Sequence, residues 1–268
     1  MIRFLLIFIG FPLFLLPAEI DTLSVFSMAM DKDIPVVVAL PDNFQSATEL
    51  FPVVYLLHGY SGDYLNWINH TDLGKMADQY GFVIVCPDGG YNSWYLDSPV
   101  DKESQYETFV AVELVQWIDS NYHTISGKQG RAITGLSMGG HGALYLALRH
   151  SENYIAAGSM SGVLDLSQAG TKYQILEKLG AKRDDWEMLA SHSVIYLLDE
   201  LENSSLAILI DCGVDDRFIN SNRQAHTLML EKGIEHDYFE RPGGHSWDYW
   251  VNVLEYHLLF FKKQLERG

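Results

Sequence analysis

Ser137 lies in a glycine-rich segment whose spacing suits nucleophilic chemistry. The segment Gly135-Leu136-Ser137-Met138-Gly139 follows an apolar, strand-like run and precedes an Ala- and Leu-rich helical pattern. At such a tight strand-to-helix turn the serine hydroxyl points outward, and side chains at the two glycines would collide with their neighbours. Backbone N–H groups at the start of the helix point toward the place where negative charge develops when the serine attacks a substrate. The pattern predicts a nucleophile elbow; the alternative is a glycine turn that happens to hold a serine.

An acid and a histidine follow later strand ends, in the order Ser, Asp, His of the α/β-hydrolase triad. His245 follows the last strand-like run on a Gly-rich loop, from which its ring can reach Ser137 and act as general base. Asp215 and Asp216 both follow the preceding strand. Only one of the two can orient the imidazole, and spacing alone does not choose between them.

Apolar runs alternate with helical periodicity from residue 51 onward. Unbroken apolar strands joined by helices are typical of a parallel sheet covered on both faces, and ligands bind such sheets beyond the carboxyl ends of the strands. The predicted strands are 23–30 and 34–40, which form an opening antiparallel hairpin, then 53–57, 82–86, 132–134, 155–160, 206–210 and one near 238, with Asp211 still inside its strand. The predicted helices are 72–80, 106–121, 140–150, 220–232 and 247–265.

The domain organisation is predicted from length and pattern. Residues 1–18 have the layout of a secretory signal peptide, with an apolar run at 4–16 before Pro17-Ala18, and an uncleaved anchor is the alternative. We expect a secreted or periplasmic protein without stable membrane insertion once this segment is removed. Residues 19–268 form one predicted domain, in which 163–205 interrupt the alternation as a small lid with too few apolar residues for its own core.

Composition excludes several classes of function. The chain has 35 acidic against 18 basic residues and a formal net charge of −17, which argues against binding nucleic acid or anionic membranes.

Cys86 and Cys212 end separate apolar strand runs and are predicted to be free, buried thiols. No two histidines have metal-ligand spacing such as H-E-x-x-H, so neither a metal nor a cofactor is predicted.

Two aromatic residues follow another strand end. Trp94 and Tyr95 come after the Asp88-Gly89 loop. They are predicted to wall an acyl or alcohol pocket, with buried packing as the alternative.

From about Val36 to Leu265, the chain resembles the putative esterase family of α/β hydrolases, which includes S-formylglutathione hydrolases, tributyrin esterases, feruloyl esterases and mycolyltransferases. The motifs that carry the resemblance are YLLHGYSG at 55–62, NSWY at 92–95, GLSMGGHGA at 135–143, IDCGVDDRF at 210–218 and PGGHSW at 242–247. The resemblance implies an α/β-hydrolase fold and a serine esterase.

The resemblance also assigns roles to residues. In the family the acid stands immediately before the x-Phe step, which corresponds to Asp216. The family's oxyanion donors correspond to the amide of Met138, after the nucleophile, and the amide of Tyr60, after the His-Gly turn. Trp247, two residues after His245, is expected to bind substrate.

The expected substrate follows from the branch of the family. The predicted signal peptide and the Trp247 and Trp250 pattern favour the tributyrin and feruloyl esterases. Cys212 departs from the Gln usual in S-formylglutathione hydrolases, which are cytosolic. We therefore expect a carboxylesterase for short-chain or hydroxycinnamoyl esters of a small molecule or carbohydrate. The alternatives are acyl transfer of the mycolyltransferase type, an S-formylglutathione hydrolase-like thioesterase, and a non-enzymatic binding protein.

Overall fold

The strands of the protein form one eight-stranded sheet in the computed structural model, which describes residues 19–182, 185–201 and 205–266. The predicted signal peptide, residues 1–18, lies outside the described residues. The strands are β1 (Ile20–Ser27), β2 (Lys32–Ala39), β3 (Val53–Leu57), β4 (Val83–Pro87), β5 (Arg131–Gly135), β6 (Ala156–Met160), β7 (Ala207–Gly213) and β8 (Asp237–Arg241).

The sheet is parallel beyond its first strands. Its spatial order is β1-β2-β4-β3-β5-β6-β7-β8. β1 pairs antiparallel with β2, β2 pairs antiparallel with β4, and every later pairing is parallel. The carboxyl ends of β3, β5, β7 and β8 therefore meet at one edge of the sheet, where a ligand site is expected.

Helices cover both faces of the sheet, as the apolar strands predict. Buried residues of β3 alternate between the two apolar cores, with Tyr55 on one face and Leu56 on the other. One face packs against α1, α2 and α9, and the opposite face packs against α3, α4, α5 and α8. The helices are α1 (Asn66–His70), α2 (Leu73–Tyr80), α3 (Tyr106–Thr108), α4 (Leu114–Asn121), α5 (Met138–Arg149), α6 (Ile175–Leu179), α7 (Trp186–Ala190), α8 (Ile219–Glu231) and α9 (Trp247–Leu265).

The predicted elements are recovered with local differences. A π-helical segment, Phe109–Glu113, joins α3 to α4 inside the single helix predicted at 106–121. The strand predicted to end at residue 210 continues to Gly213 because its partner β8 pairs along it as far as Arg241, so Asp211 does lie inside the strand. Helix α1 was not predicted, because five residues are too few to show helical periodicity.

The insertion predicted as a lid packs largely into the main core. It begins just after β6 and includes α6 and α7. Val163, Leu164, Ile175 and Val194 are each at most 1% exposed and belong to the core on the α5 face of the sheet. The insertion is therefore anchored beside the sheet by its apolar residues, and only part of it borders the cleft described below.

The two cysteines are free and buried, as predicted. Cys86 lies on β4 and Cys212 on β7, and three strands separate these two in the sheet. Burial raises the pKa of both thiols, so neither is a reactive thiolate. In the part of the chain that the structure describes, no helix has the length and apolar character needed to cross a membrane.

Candidate active site

Ser137 occupies a strained turn between β5 and α5. Its φ and ψ are 53° and −114°, a backbone conformation that residues other than glycine rarely adopt. The Ser137 amide donates to the Met160 carbonyl at 2.9 Å, which holds the turn against β6. A Cβ atom at Gly139 would lie 2.5 Å from the His58 carbonyl oxygen, so only glycine allows this close packing. The segment has the geometry of the predicted elbow.

A continuous hydrogen-bonded chain links Ser137, His245 and Asp216. The His245 Nε2 atom lies 2.9 Å from the Ser137 Oγ atom, and its Nδ1 atom lies 2.8 Å from Asp216 Oδ2. An ionised carboxylate only accepts hydrogen bonds, so Nδ1 carries the imidazole proton. Nε2 is then an acceptor for the serine hydroxyl. The three side chains therefore form one continuous hydrogen-bonded chain, with an acceptor nitrogen facing the serine hydroxyl.

The structure distinguishes the neighbouring aspartates of this loop. Burial raises the pKa of Asp216, but the hydrogen bond and charge of His245 and the Phe218 amide outweigh burial and hold that pKa below its usual value. Asp215 is exposed, and its backbone amide donates to the Gly243 carbonyl at 3.0 Å. Asp211 is buried and accepts from Arg241 Nε at 2.7 Å. Only Asp216 bonds to His245.

The turn after β3 lies directly beside Ser137. A Cβ atom at Gly59 would stand 3.5 Å from the Ser137 Cβ atom and 2.6 Å from Leu136 Cδ1. The Gly59 carbonyl accepts hydrogen bonds from the Gly62 amide at 3.0 Å and from His58 Nδ1 at 2.8 Å. Because a trans peptide is planar, the amide of the next residue points away from these two donors. That amide belongs to Tyr60, one of the predicted oxyanion donors.

His58 holds this turn in place. Its Nε2 atom accepts from the Gly89 amide at 2.7 Å, so the ring proton lies on Nδ1, which faces the Gly59 carbonyl. Burial lowers the pKa of His58, which keeps the ring neutral and able to make both bonds. The residue therefore anchors the loop.

The second predicted oxyanion donor begins a helix. Met138 is the first residue of α5, and amides of a first helical turn have no acceptor within the helix. The helix dipole adds partial positive charge at the same point. The amides of Met138 and Tyr60 therefore flank the Ser137 turn from two elements, α5 and the β3 loop.

A cleft with a volume of about 460 Å³ opens over the serine. Ser137 and His245 line it together with Trp247 and Trp250 of α9. The Trp250 ring packs edge-on against the His245 imidazole at 4.9 Å. Trp247 stacks on His70, with the ring centroids 3.8 Å apart. Of the three aromatic residues predicted to bind substrate, Trp247 borders the cleft.

Trp94 and Tyr95 differ from the prediction. Both have positive φ and are at most 1% exposed, and neither lines the cleft. The Tyr95 hydroxyl donates to the His58 carbonyl at 3.0 Å, and Trp94 Nε1 donates to the Tyr173 carbonyl at 3.1 Å. The left-handed turn directs the two rings inward, so they support the cleft from behind.

The cleft also includes residues that were not identified from the sequence, among them Asn66. Tyr173, from the insertion, and Arg217, next to Asp216, both border it, and Arg217 Nη1 donates to the Tyr173 hydroxyl at 3.0 Å. Arg217 directly follows Asp216 in the sequence, and this adjacency to a predicted triad residue could have identified it as a site residue. Tyr173 follows no strand end, so the expectation that site residues follow strands does not identify it.

His141 is a structural residue, because its Nε2 atom lies 2.8 Å from the His192 carbonyl and burial lowers its pKa to about 4.

The chain matches a protein-family model and several relatives. The model of the Esterase family, described as "Putative esterase", covers residues 27–261. The chain is 28% identical to an acetyl esterase of Caldicellulosiruptor saccharolyticus over 77% of this chain and 82% of that protein. It is 29% identical to the diacylglycerol acyltransferase/mycolyltransferase Ag85A of Mycobacterium tuberculosis over 86% of this chain and 77% of that protein.

A solved structure supports the same relationship. The structure of a ferulic acid esterase superposes with a TM-score of 0.80 and 28% sequence identity, covering 92% of this chain and 98% of that chain. The similarity of this chain to that structure, together with the sheet order described above, identifies the α/β-hydrolase fold. The family model spans most of the described chain. The protein therefore belongs to this esterase family and is a carboxylic ester hydrolase of the α/β-hydrolase fold.

Proposed function

We propose that the protein is a serine carboxylesterase in which Ser137, His245 and Asp216 form the catalytic triad. The observation that carries the proposal is the chain of two hydrogen bonds, 2.9 Å and 2.8 Å long, from the Ser137 hydroxyl through His245 to Asp216. The strained turn at Ser137 supports it, because such strain is typical of functional sites.

The mechanism follows from the positions of these groups. Ser137 Oγ attacks the ester carbonyl while His245 Nε2 takes its proton, and Asp216 stabilises the imidazolium. The amides of Tyr60 and Met138 bind the oxyanion of the tetrahedral intermediate. His245 then gives the proton to the departing alcohol oxygen. Water, activated by the same imidazole, releases the carboxylic acid and restores the serine.

The proposed acyl group is short or planar. The cleft volume of about 460 Å³ is toward the lower end of the range of about 300–1,000 Å³ typical of ligand sites. Tyr173, Trp247 and Trp250 present aromatic rings along it, which suits a hydroxycinnamoyl group as well as an acetyl or butyryl group. The acetyl esterase and ferulic acid esterase among the relatives support these two substrate classes. We propose a carbohydrate or small alcohol as the leaving group.

The test is a comparison of acyl chains. We expect 4-nitrophenyl acetate or butyrate to be hydrolysed with a kcat/KM at least about ten times that of the palmitate, because a cleft of this size cannot enclose a long acyl chain. Methyl ferulate should also be cleaved. The rates are measured at substrate concentrations below micelle formation, with Ser120→Ala, an exposed change on α4, as the control variant. A higher kcat/KM for the palmitate would contradict the short-acyl assignment.

Acyl transfer is a second candidate function, favoured by the similarity to Ag85A over 86% of the chain. The two activities share the acyl-enzyme and differ in whether water or an alcohol receives the acyl group. Addition of glucose as the acceptor alcohol to the hydrolysis assay separates them. Water as the main acceptor at every alcohol concentration supports the esterase, and a dominant sugar ester product supports the transferase.

Export is proposed from residues 1–18 alone. Their apolar run at 4–16 and the Pro17-Ala18 end have the layout of a signal peptide. A secreted or periplasmic location agrees with esters of extracellular carbohydrate as substrates.

A further inference from the structure

Arg217 places an uncompensated positive charge at the mouth of the cleft. Among the described residues that line the cleft it is the only lysine or arginine, and none of them is an aspartate or glutamate. The whole chain has 35 acidic residues against 18 basic ones. Arg217 therefore brings a positive charge to the cleft that also contains the proposed nucleophile.

The other described arginines all form ion pairs. Arg131, Arg149, Arg223 and Arg241 each have a carboxylate oxygen within 4 Å. Within the described part of the chain, Arg217 has none. Its one hydrogen bond runs from Nη1 to the neutral Tyr173 hydroxyl at 3.0 Å, so most of the five N–H donors of the guanidinium remain available.

The guanidinium lies against the aromatic residues Tyr173 and Phe218. The Tyr173 ring lies 6.1 Å from the Phe218 ring, and the Tyr173 carbonyl accepts from Trp94 Nε1. The Arg217 guanidinium carbon lies 5.8 Å from the Phe218 centroid, and the Phe218 ring packs edge-on against His245 at 5.2 Å. The Phe218 ring therefore contacts both the Arg217 guanidinium and the His245 imidazole.

A second cation strengthens the local potential. Lys172 Nζ lies 5.4 Å from the centroid of the Tyr173 ring, and no described carboxylate is within 4 Å of it. Salt screens exposed charges beyond about 8 Å at physiological ionic strength. An anionic group that contacts the Arg217 guanidinium would thus be attracted by Arg217 and Lys172, while salt screens it from acidic residues beyond that distance.

We propose that Arg217 binds a carboxylate on the alcohol part of the ester, so that the preferred substrates are esters of acidic alcohols such as acylated uronic acid sugars. The proposal rests on the proposed function, because His245 must return its proton to the leaving alcohol oxygen. The alcohol is then next to the imidazole, and Arg217 contacts the same Phe218 ring as that imidazole. A guanidinium fork also matches a carboxylate geometrically, through two parallel N–H···O bonds.

The experiment uses two acetate esters of nearly equal shape. 3-Carboxyphenyl acetate carries the anion on its leaving alcohol, and 3-carbamoylphenyl acetate is its neutral counterpart. Each kcat/KM is divided by the rate of the same ester with hydroxide, which removes the difference in intrinsic reactivity. For the wild-type chain at low salt we expect a corrected ratio of about ten in favour of the carboxylate, as for a charge-assisted hydrogen bond. The ratio should fall as salt is added.

Variants assign the preference to Arg217. Arg217→Gln should reduce the ratio to about one. Arg217→Lys should leave an intermediate value, because lysine keeps the positive charge but lacks the two parallel N–H donors of the guanidinium. Arg223→Gln is the matched control: this arginine is on α8, exposed, and paired with Glu240 at 2.7 Å. It should keep the wild-type ratio.

The outcomes separate this inference from the function on which it rests. A wild-type ratio near one, with both acetates hydrolysed, overturns the role of Arg217 and leaves the esterase proposal intact. A ratio of ten that survives Arg217→Gln also overturns it. A carboxylate preference found only when the acid is on the acyl group, as in 4-nitrophenyl hydrogen glutarate against its amide, overturns the alcohol-side assignment. Failure to hydrolyse either acetate overturns the proposed function and this inference with it.

Discussion

Ser137→Ala is expected to lower kcat for 4-nitrophenyl acetate by about 10⁶-fold, because it removes the atom that forms the acyl-enzyme. Residual turnover would come from the oxyanion donors and from substrate binding. The Ser137 hydroxyl bonds to His245 and makes no other hydrogen bond in the described structure. Its loss should therefore change stability little. Stopped assays with the purified variant, corrected for spontaneous hydrolysis, measure the effect.

The control for this variant is Ser120→Ala. Ser120 is exposed on α4, where its hydroxyl bonds only to the Gln116 carbonyl at 2.7 Å. We expect near wild-type kcat from it. Thermal unfolding of both variants shows whether either change disturbs the fold. A folded Ser137→Ala variant with a kcat above about one per cent of wild type would contradict the assignment of the nucleophile.

Asp216→Asn is expected to reduce kcat by about 10⁴-fold, by analogy with the loss of the triad acid in serine proteases. The ionised Asp216 accepts from His245 Nδ1 at 2.8 Å and so keeps Nε2 free to take the serine proton. An asparagine amide in its place donates to Nδ1, which favours the wrong tautomer. It also removes the charge that stabilises the imidazolium. Steady-state kinetics on the same short-chain ester give the change.

Asp215→Asn is the matched control, one residue away on the same loop. The Asp215 side chain is exposed, and the contact that this residue makes with Gly243 comes from its backbone amide, which the substitution keeps. We expect kcat to fall less than about threefold, since surface substitutions of this kind have small effects. A larger loss in Asp215→Asn than in Asp216→Asn would transfer the role of acid to Asp215.

The position of the serine and histidine could be predicted because it depends on sheet topology. Apolar strands joined by helices imply a parallel sheet, and residues just after its strands gather at one edge. Ser137 and His245 follow β5 and β8, and they meet there at 2.9 Å. The Gly-x-Ser-x-Gly spacing requires a turn that few backbones adopt, so the motif specifies local geometry as well as residue type.

The choice between Asp215 and Asp216 needed the backbone. Adjacent loop residues point in different directions, and the direction depends on hydrogen bonds that the spacing does not reveal. In the structure the Asp215 amide is held by the Gly243 carbonyl, while the Asp216 side chain accepts from the Phe218 amide at 2.8 Å and turns toward the imidazole. The resemblance to the esterase family, rather than spacing, favoured Asp216.

The cleft walls were the least predictable part. Trp94 and Tyr95 follow a strand end, yet positive φ at both residues directs their rings into the core. Hydrophobic periodicity does not reveal which residues adopt a positive φ angle. Tyr173 reaches the cleft from the insertion, whose path is set by packing of Ile175 and Val194 into the main core. Such tertiary placement has no local sequence signal.

Covalent labelling with a fluorophosphonate tests the triad most directly. The reagent reacts with a serine only where a neighbouring base activates its hydroxyl, and the adduct is located by tandem mass spectrometry of a proteolytic digest. We predict one adduct, on Ser137, in the wild-type chain, strongly slowed labelling in Asp216→Asn and no labelling in Ser137→Ala. An adduct on any other serine, or an unlabelled folded wild-type protein, would contradict the assignment of Ser137, His245 and Asp216 as the catalytic triad.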